Sequence, residues 1–496
     1  MKQTNIPAAI VAAYPDRQWS DYQSVIFNAV ADRESGSRIV RAVAGAGKST
    51  TIVAALLAAP AGSQSIFLAF NKAIAEELKA RGVNARTFHS LTYTPVLRAT
   101  GASRVDSNKL RTLVREWPRE RAAQFGTAAC KLVGLARQEG IGCLVDDTDA
   151  FWYALAERHE VTPDVDDAPM TGMVAAARAL LEASNASKLV DFDDLLYWAV
   201  LRNVPLPRFD LIMVDECQDT NAIQRAILRK IMASSARIFA VGDEAQAIYG
   251  FRGADSDSMD RIASEFGCQP MPLTITYRCA RSIVAYAGQW SPLEAAPDAP
   301  EGEVVNVGDK WLPSHFAAED LVVCRTNAPL LGLAYRMMRE RIPCHVMGRD
   351  IGAGLRTLID KLQGKGIDGL LIKLGEWQDR ETAKAATKDN EALAASIADK
   401  ADCIRVLVEG LPENSRTVPE LCRTIDTMFA EGGGVTLASI HKSKGLEAGR
   451  VWWLNRSACP SKWAKQAWQQ QQELNLCYVA ATRAKRSLRL IEMPRD

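Results

Sequence analysis

The chain has 496 residues, of which 48% are hydrophobic and 24% charged, and its formal net charge is +1. This length exceeds what one hydrophobic core holds, so we expect about two to four domains. The near-neutral charge excludes a protein that is basic over its whole surface, although a local basic groove for a polyanion stays open.

The sequence shows no run of about 18 apolar residues that would span a bilayer, and residues 1–15 lack the pattern of a signal peptide. Eleven cysteines are dispersed without a CxxC pair or a neighbouring histidine cluster. This pattern predicts free thiols in a reducing compartment, here the cytoplasm, rather than a disulfide framework or a zinc site.

A phosphate-binding loop is predicted after the first apolar strand pattern. The stretch AVAGAGKST at 42–50 precedes TIVAALLAA, which is typical of a helix. Strand, small-residue loop, Lys-Ser and helix match the P-loop, except that Ala42 replaces its first glycine. Backbone N–H groups and the helix N-terminus would hold phosphates, Lys48 would reach the outer phosphates and the Ser49 hydroxyl would bind magnesium. The alternative, an ordinary small-residue turn, does not account for the Lys-Ser pair.

The nucleotide-binding residues assigned to this loop are Ala42, Val43, Ala44, Gly45, Ala46, Gly47, Lys48, Ser49 and Thr50.

Strand and helix patterns alternate over about 18–95 and resume near 190, whereas the block between them has helical spacing throughout. Stretches such as LRTLVREWPRERAAQF and TGMVAAARALLEAS carry that spacing. We therefore interpret the block as a helical insertion in the first domain.

The next motif is FDLIMVDECQDT at 209–220, a short apolar strand pattern that ends in two carboxylates. A carboxylate at a strand end beside a P-loop is where magnesium needs a second protein contact, which suits Asp215. Glu216 would then act as the general base for a water that attacks the γ-phosphate. An acidic turn without a role is the alternative for this motif taken alone.

The string VDECQDT resembles the second motif of the UvrD/Rep/PcrA group of superfamily 1 DNA helicases. Further motifs match that group in order from about residue 18 to 487, including DFDDLL at 191–196 and VGDEAQAIYGFRGAD at 241–255. The resemblance implies an α/β fold with two RecA-like P-loop NTPase domains. Each would be a parallel sheet flanked by helices and interrupted by a helical insertion.

Domain boundaries follow from this fold and from the composition. The expected parts are the first RecA-like domain at 1–95 and 189–272, its insertion at 96–188, the second RecA-like domain at 273–347 and 435–496, and its insertion at 348–434. The second insertion is short, and it is either a solvated helical pair or a small module that contacts duplex DNA or a partner.

The resemblance also assigns roles at the ATP site, with ATP and Mg²⁺ as cofactors. Gln23 would read adenine, Gln246 would sense the γ-phosphate, Tyr277 would stack on adenine, Arg278 would touch phosphate, Glu447 would contact ribose and Arg483 would be the arginine finger. Together with Lys48, Asp215 and Glu216 these side chains form the expected catalytic set. Because relatives carry an arginine where this chain has Thr50-Thr51-Ile52, and often an arginine at Asn475, adenine selectivity is the less secure part of this prediction.

Single-stranded DNA is the expected track, bound by aromatic side chains and by groups that hydrogen-bond to phosphates. The residues assigned to it are Phe70, Asn71, Thr87, His89, Ser90, Tyr249, Phe251, Arg252, Arg325, Asn327 and His441. Taken alone, the phenylalanines would be core residues and the histidines structural ones; only the motif context favours DNA. The tryptophans of the chain are interpreted mostly as packing residues.

These assignments predict an ATP-dependent DNA helicase that moves 3′→5′ on single-stranded DNA, with nucleotide bound between the two lobes. Two alternatives stay open: a translocase that displaces proteins without efficient unwinding, and an assembly factor that uses ATP only as a switch. Expected partners are single-stranded and tailed duplex DNA and replication or repair proteins, with no membrane. We expect a monomer in a bacterial or phage-infected cytoplasm.

Overall fold

The computed structural model describes residues 6–165, 167–248, 250, 257–387, 391–430 and 432–494. Contacts divide the chain into two compact units. The first unit comprises Met1–Val43 and Gly47–Thr274, and the second comprises Ala44–Ala46 and Ile275–Asp496.

The first unit contains a six-stranded parallel sheet with the order β3-β2-β4-β5-β1-β6. Its strands are β1 Arg38–Ala42, β2 Ser65–Leu68, β3 Ala85–Arg86, β4 Phe209–Val214, β5 Met232–Gly242 and β6 Gln269–Leu273. The central strands are continuous apolar runs rather than alternating patterns, because helices cover both faces of a parallel sheet.

The strand order places the predicted motifs together within this unit. Strand β5 pairs in parallel with both β1 and β4, so the loops after these three strands leave the same edge of the sheet. Ligands of open α/β sheets bind at this carboxyl edge. The P-loop follows β1, the two carboxylates follow β4, and the Gln246 segment follows β5.

Twelve helices flank this sheet within the described residues. They are α1 Ala8–Ala13, α2 Asp21–Ala31, α3 Lys48–Leu56, α4 Lys72–Ala80, α5 Phe88–Thr100, α6 Lys109–Arg115, α7 Arg119–Glu139, α8 Asp149–Arg158, α9 Met170–Ala186, α10 Phe192–Leu201, α11 Ala222–Ile231 and α12 Ser258–Glu265. Helices α6–α9 lie inside the predicted insertion, and their buried residues belong to the same hydrophobic cluster as those of the sheet. The insertion is therefore fused to the core of the first unit.

The second unit has a six-stranded parallel sheet of order β11-β12-β10-β13-β14-β9 and a two-stranded sheet β7-β8. The strands are β7 Ile275–Thr276, β8 Glu294–Ala295, β9 Glu303–Gly308, β10 Leu321–Cys324, β11 Cys344–Val346, β12 Val435–Ser439, β13 Ala448–Leu454 and β14 Ala484–Ile491. Trp452 and Trp453 on β13 are fully buried, as their packing role requires. Two parallel sheets flanked by helices confirm the predicted fold class.

The helices of the second unit are α13 Arg281–Ala287, α14 Ala328–Arg339, α15 Arg349–Leu362, α16 Gly366–Thr387, α17 Glu391–Gly410, α18 Val418–Met428 and α19 Ala467–Ala481. Helices α15–α18 occupy the second predicted insertion and share one hydrophobic cluster with the sheet. The glutamine run at 469–472 lies in the first turns of α19.

Candidate functional site

The P-loop has the backbone that its glycines predict. Gly45 and Gly47 both have φ of 74°, the left-handed region that favours glycine. Gly47 is the N-cap of α3, so the helix begins at Lys48. Ala42 is the last residue of β1, where the backbone is extended and no glycine is required. This explains physically why alanine fits the first position of the motif.

The loop after β4 brings its carboxylates to the start of α3. The Ser49 hydroxyl donates to Asp215 Oδ2 over 2.8 Å. Lys48 Nζ lies 3.6 Å from Glu216 Oε1, and only 9% of the lysine side chain is exposed. Glu216 itself has φ of 50°, a strained backbone for a glutamate that often marks functional sites.

Burial makes this group of carboxylates electrostatically unfavourable. It raises the pKa of Asp215 to about 6, with the adjacent Glu216 charge adding to the effect, while Ser49 and Lys48 oppose it. Burial likewise raises the pKa of Asp243. A cation at this point would relieve the excess negative charge.

The oxygen atoms present fit Mg²⁺ in particular. Two ligands of an octahedral Mg²⁺ at about 2.0–2.1 Å stand roughly 2.9 Å apart, close to the 2.8 Å between Ser49 Oγ and Asp215 Oδ2. Within the described residues, no group of three His, Cys, Asp or Glu side chains forms a metal site.

A hydrogen-bonded chain links Gln246 to Glu216. Gln246 donates to Asp243 Oδ2, the Asp243 N–H donates to Gln218 Oε1 over 3.0 Å, and Gln218 Nε2 donates to Glu216 Oε2. Sequence reasoning quoted the strings that contain Asp243 and Gln218 but gave neither residue a role. Their position directly beside the assigned Glu216 and Gln246 was the available signal.

Gln23 is anchored rather than exposed. Its Nε2 donates to Thr51 Oγ1 over 2.8 Å, and its Oε1 accepts from the Ser20 N–H over 3.0 Å. Only 2% of the residue is exposed. These bonds tie α2 to α3, and contact with adenine stays a prediction.

In the second unit, two of the assigned arginines contact Thr482, and one of them also pairs with the assigned Glu447. Arg278 Nη1 donates to the Thr482 carbonyl over 3.4 Å, and Arg483 Nη2 donates to its hydroxyl over 3.2 Å. Arg278 also pairs with Glu447 over 2.6 Å, and so does Lys485. Partial burial raises the pKa of Glu447, but the Lys485 and Arg278 charges outweigh this effect and hold the pKa below its usual value.

Lys485 was missed by sequence reasoning, although it lies two residues after Arg483. The guanidinium of Arg483 is almost fully buried and also donates to the carbonyls of Val479 and Leu446.

Tyr277 is 48% exposed, so its ring is available for stacking on a base.

On the first unit, several assigned DNA residues cap helices. Asn71 caps α4, and Thr87 and Ser90 form a reciprocal capping box at the start of α5. Capping orients these side chains at helix N-termini, where backbone N–H groups favour anions. Phe70, directly before Asn71, is 47% exposed.

Two exposed aromatic residues near His89 were missed. The Phe192 ring is 6.2 Å from the His89 ring and 55% exposed. Tyr93 is 41% exposed and stands one helical turn from His89, on the same face of α5. Burial lowers the pKa of His89, so this face carries neutral rings near neutral pH.

The remaining DNA assignments differ in their support. Arg325 is bound by both oxygens of Glu473, and Asn327 by Asp399 on α17, so phosphate would have to displace these partners. His441 follows β12 and is half-buried. Three further assigned residues lie outside the described part of the chain: Tyr249, Phe251 and Arg252.

Two broader expectations can be compared with the structure. All eleven cysteines are free thiols, as predicted. Among the described residues, no helix is both long and apolar enough to cross a membrane.

Comparison with known proteins adds three family matches. Residues 149–267 match the profile of the UvrD/REP helicase N-terminal domain, residues 418–494 that of the UvrD-like helicase C-terminal domain, and residues 18–124 an AAA domain. These matches lie in both units.

Individual relatives are DNA helicases by name. The chain is 38% identical over 119 residues to DNA helicase II of Salmonella typhimurium, which covers 22% of this chain and 16% of that protein. It is 25% identical over 496 residues to F-box DNA helicase protein 1 of Schizosaccharomyces pombe, covering 90% of this chain and 55% of that protein. ATP-dependent DNA helicase srs2 of the same yeast is 35% identical over 106 residues, which cover 20% of this chain and 12% of srs2. The aligned regions thus span about half or less of these relatives' length.

Proposed function

Because the chain belongs to the UvrD/Rep-type superfamily 1 helicases, we propose that it is an ATP-dependent DNA helicase or translocase that moves 3′→5′ on single-stranded DNA. The observation that carries the proposal is the meeting of Lys48, Ser49, Asp215 and Glu216 at one edge of the first sheet. A P-loop alone names no reaction, whereas a loop lysine with a paired metal ligand and a base is suited to hydrolysis of a nucleoside triphosphate.

In this proposal, each side chain that meets at the edge of the first sheet has its own task in the reaction. Lys48 and the N–H groups at the start of α3 hold the phosphates. Ser49 and Asp215 would hold Mg²⁺, which would supply charge neutralisation at the phosphate oxygens. Glu216 accepts the proton of the water that attacks the γ-phosphorus, and the bond to the ADP oxygen breaks. Gln218 keeps the Glu216 carboxylate oriented.

The second unit supplies the cations of the reaction in this proposal. Arg278 and Arg483 compensate the charge that spreads over the transferred phosphoryl group, a role worth several powers of ten in rate for arginines of this kind. Arg278 would exchange its Glu447 partner for phosphate, and Lys485 would keep Glu447 paired after that exchange.

The DNA track would pass the exposed rings of the first unit. Phe70, Tyr93 and Phe192 are all more than 40% exposed, and stacking on such rings binds single strands of any sequence. The capped starts of α4 and α5 lie beside two of these rings and would bind backbone phosphates.

Two measurements test the proposal. The rate of ATP hydrolysis should rise with single-stranded DNA, more than with RNA, and a 3′-tailed duplex should be separated faster than a 5′-tailed one. The variant Glu216→Gln should lose roughly 10²–10⁴-fold in turnover and still bind ATP. Glu76→Gln, an exposed glutamate of the same unit, is the control. Unchanged turnover in Glu216→Gln would refute the base assignment, whereas ATP binding without hydrolysis in the unsubstituted chain would favour the ATP-switched assembly factor.

A second candidate, the translocase without efficient unwinding, is favoured by one observation. The predicted second insertion is short, at 348–434, and its helices α15–α18 share their hydrophobic cluster with the second sheet. Removal of streptavidin from a 5′-biotinylated single strand, without separation of a tailed duplex, would select this candidate. Separation at rates comparable to translocation would exclude it.

A further inference from the structure

The start of α10 is held by a reciprocal pair of carboxylates. The Asp191 side chain accepts from the Asp194 N–H, and the Asp194 side chain accepts from the Asp191 N–H, both over 2.9 Å. Between them stands Phe192, the first residue of α10. These residues belong to the DFDDLL motif, of which the proposed function so far uses only the Phe192 ring.

Two cations from the first insertion clamp these carboxylates. Lys109 on α6 lies 2.6 Å from Asp194 Oδ2. Arg137 on α7 lies 2.9 Å from Asp191 Oδ2 and 3.4 Å from Asp194 Oδ1. We call these four residues the helix-start cluster. Its side chains are between 0% and 10% exposed, so bulk solvent screens the attraction little.

The clamp extends further into the insertion and along α10. Arg137 also donates to the Ser184 hydroxyl on α9. The Lys109 ammonium lies 4.2 Å from the ring centroid of Trp198, two turns along α10. A rotation or shift of α10 against α6, α7 and α9 would therefore break buried ion pairs, which leaves uncompensated charge in a low-dielectric interior.

The consequence reaches the surface at Phe192. Its ring is 55% exposed although both residues of the capping pair beside it are buried, and it meets His89 at an interplanar angle of 72°. If the segment that carries an exposed ring is mobile, the segment must be ordered when the ring binds a base, at a cost in affinity. A ring whose backbone is already fixed from both sides avoids much of that cost.

We propose that Arg137 and Lys109 are positioning residues for single-stranded DNA: through Asp191 and Asp194 they fix the start of α10 so that the Phe192 ring is presented to a base. This inference rests on the proposed function, since it presumes a DNA track on this face. It gives the first helical insertion a task in binding, performed from the interior and without contact to DNA.

The first test is Arg137→Lys. The variant keeps the buried positive charge, so the chain should fold, but lysine lacks the planar fork that joins Asp191 to Asp194. We expect roughly three- to tenfold weaker binding of a fluorescent oligothymidylate, measured by anisotropy, with basal ATP hydrolysis and the KM for ATP unchanged. Arg225→Lys is the matched control, because Arg225 is equally buried but pairs with Glu265 on α12.

A double-mutant cycle separates positioning from general loss of structure. Phe192→Leu should weaken oligothymidylate binding roughly tenfold, as loss of one stacking contact does. Adding Arg137→Lys to Phe192→Leu should then weaken binding no further, because the residue through which Arg137 acts is gone. Additive effects, or wild-type affinity in Arg137→Lys, would overturn the proposal.

A third measurement does not depend on DNA. The full chain carrying 4-fluorophenylalanine at position 192 should give one narrow ¹⁹F resonance, and Arg137→Lys should broaden or shift it. An identical resonance in both proteins would refute the positioning role even if DNA binds. Failure of the unsubstituted chain to bind oligothymidylate, with a resonance that still responds to Arg137→Lys, would refute the proposed DNA track and leave the clamp itself established.

Discussion

Two buried groups of charges in the first unit differ in balance. In the helix-start cluster, Lys109 and Arg137 face Asp191 and Asp194, so two cations meet two carboxylates. We call Lys48, Asp215, Glu216 and Asp243 the nucleotide cluster, in which one lysine lies among three carboxylates. Both groups lie at the N-terminus of a helix of the same fold.

The difference separates a structural cluster from a binding one. In a balanced cluster, each buried charge is compensated by a partner of the opposite sign, so the cluster is stable without a ligand. Where buried carboxylates are in excess, negative charge remains that a bound cation must compensate. Burial raises the pKa of Asp194 in the helix-start cluster as it raises the pKa values of Asp215 and Asp243. The number of cations that face the carboxylates, rather than the direction of the pKa shift, therefore distinguishes the two groups.

The largest expected effect comes from removing the one cation of the nucleotide cluster. Lys48→Met should reduce ATP turnover by roughly 10²–10³-fold or more, because a positioned charge on the phosphates is lost. Phosphate release at saturating ATP and DNA measures this, with Lys79→Met, an exposed lysine of the same unit, as control. Turnover above a tenth of the wild-type rate would place the phosphate contact elsewhere.

The same substitution in the balanced cluster should act on folding instead. Lys109→Met leaves the buried Asp194 without its 2.6 Å partner, and breaking a buried pair costs about 3–5 kcal/mol of unfolding free energy. Urea denaturation followed by circular dichroism gives the value. Lys48→Met, read in the same assay, should be far less destabilising, and equal losses in both variants would erase the distinction.

The smallest expected effect is the response to a ligand. Mg²⁺ with ADP at about 100 times its dissociation constant should stabilise the first unit by about 2.7 kcal/mol, since it binds the folded state alone. Asp215→Asn should abolish most of the Mg²⁺-dependent part of the rise in Tm, while Arg225→Lys should keep it. If Mg²⁺ alters Tm equally in the unsubstituted chain, in Asp215→Asn and in Arg225→Lys, the metal site is not at Ser49 and Asp215.

Sequence reasoning could bring Lys48, Asp215 and Glu216 to one edge of the sheet because their motifs are local. Lys48 and Ser49 follow one strand and Asp215 and Glu216 another, and parallel strands deliver their ends to one edge of the sheet. The sequence was less informative about the side chains that bond to these assigned residues. Gln218, Asp243 and Lys485 became visible only through the hydrogen bonds and ion pairs that they make with assigned residues.

Sequence reasoning was weakest where one residue type serves structure or binding equally well. Arg325 and Asn327 carry the chemistry of a phosphate contact, but in the fold they hold Glu473 and Asp399. Phe192 precedes the buried Leu195 and Leu196 in the same motif, yet its own ring is largely exposed. No local pattern distinguishes these cases, because burial is set by distant segments.

By itself, the sequence determined the α/β class, the order of the motifs and the P-loop backbone, since these depend on neighbouring residues and on strand periodicity. Only the tertiary structure decided that both insertions share the cores of the sheets and that cations more than 50 residues distant along the chain balance the carboxylates of α10. The physical reason is that electrostatic compensation and exclusion of water depend on distance in space, which a linear pattern does not contain.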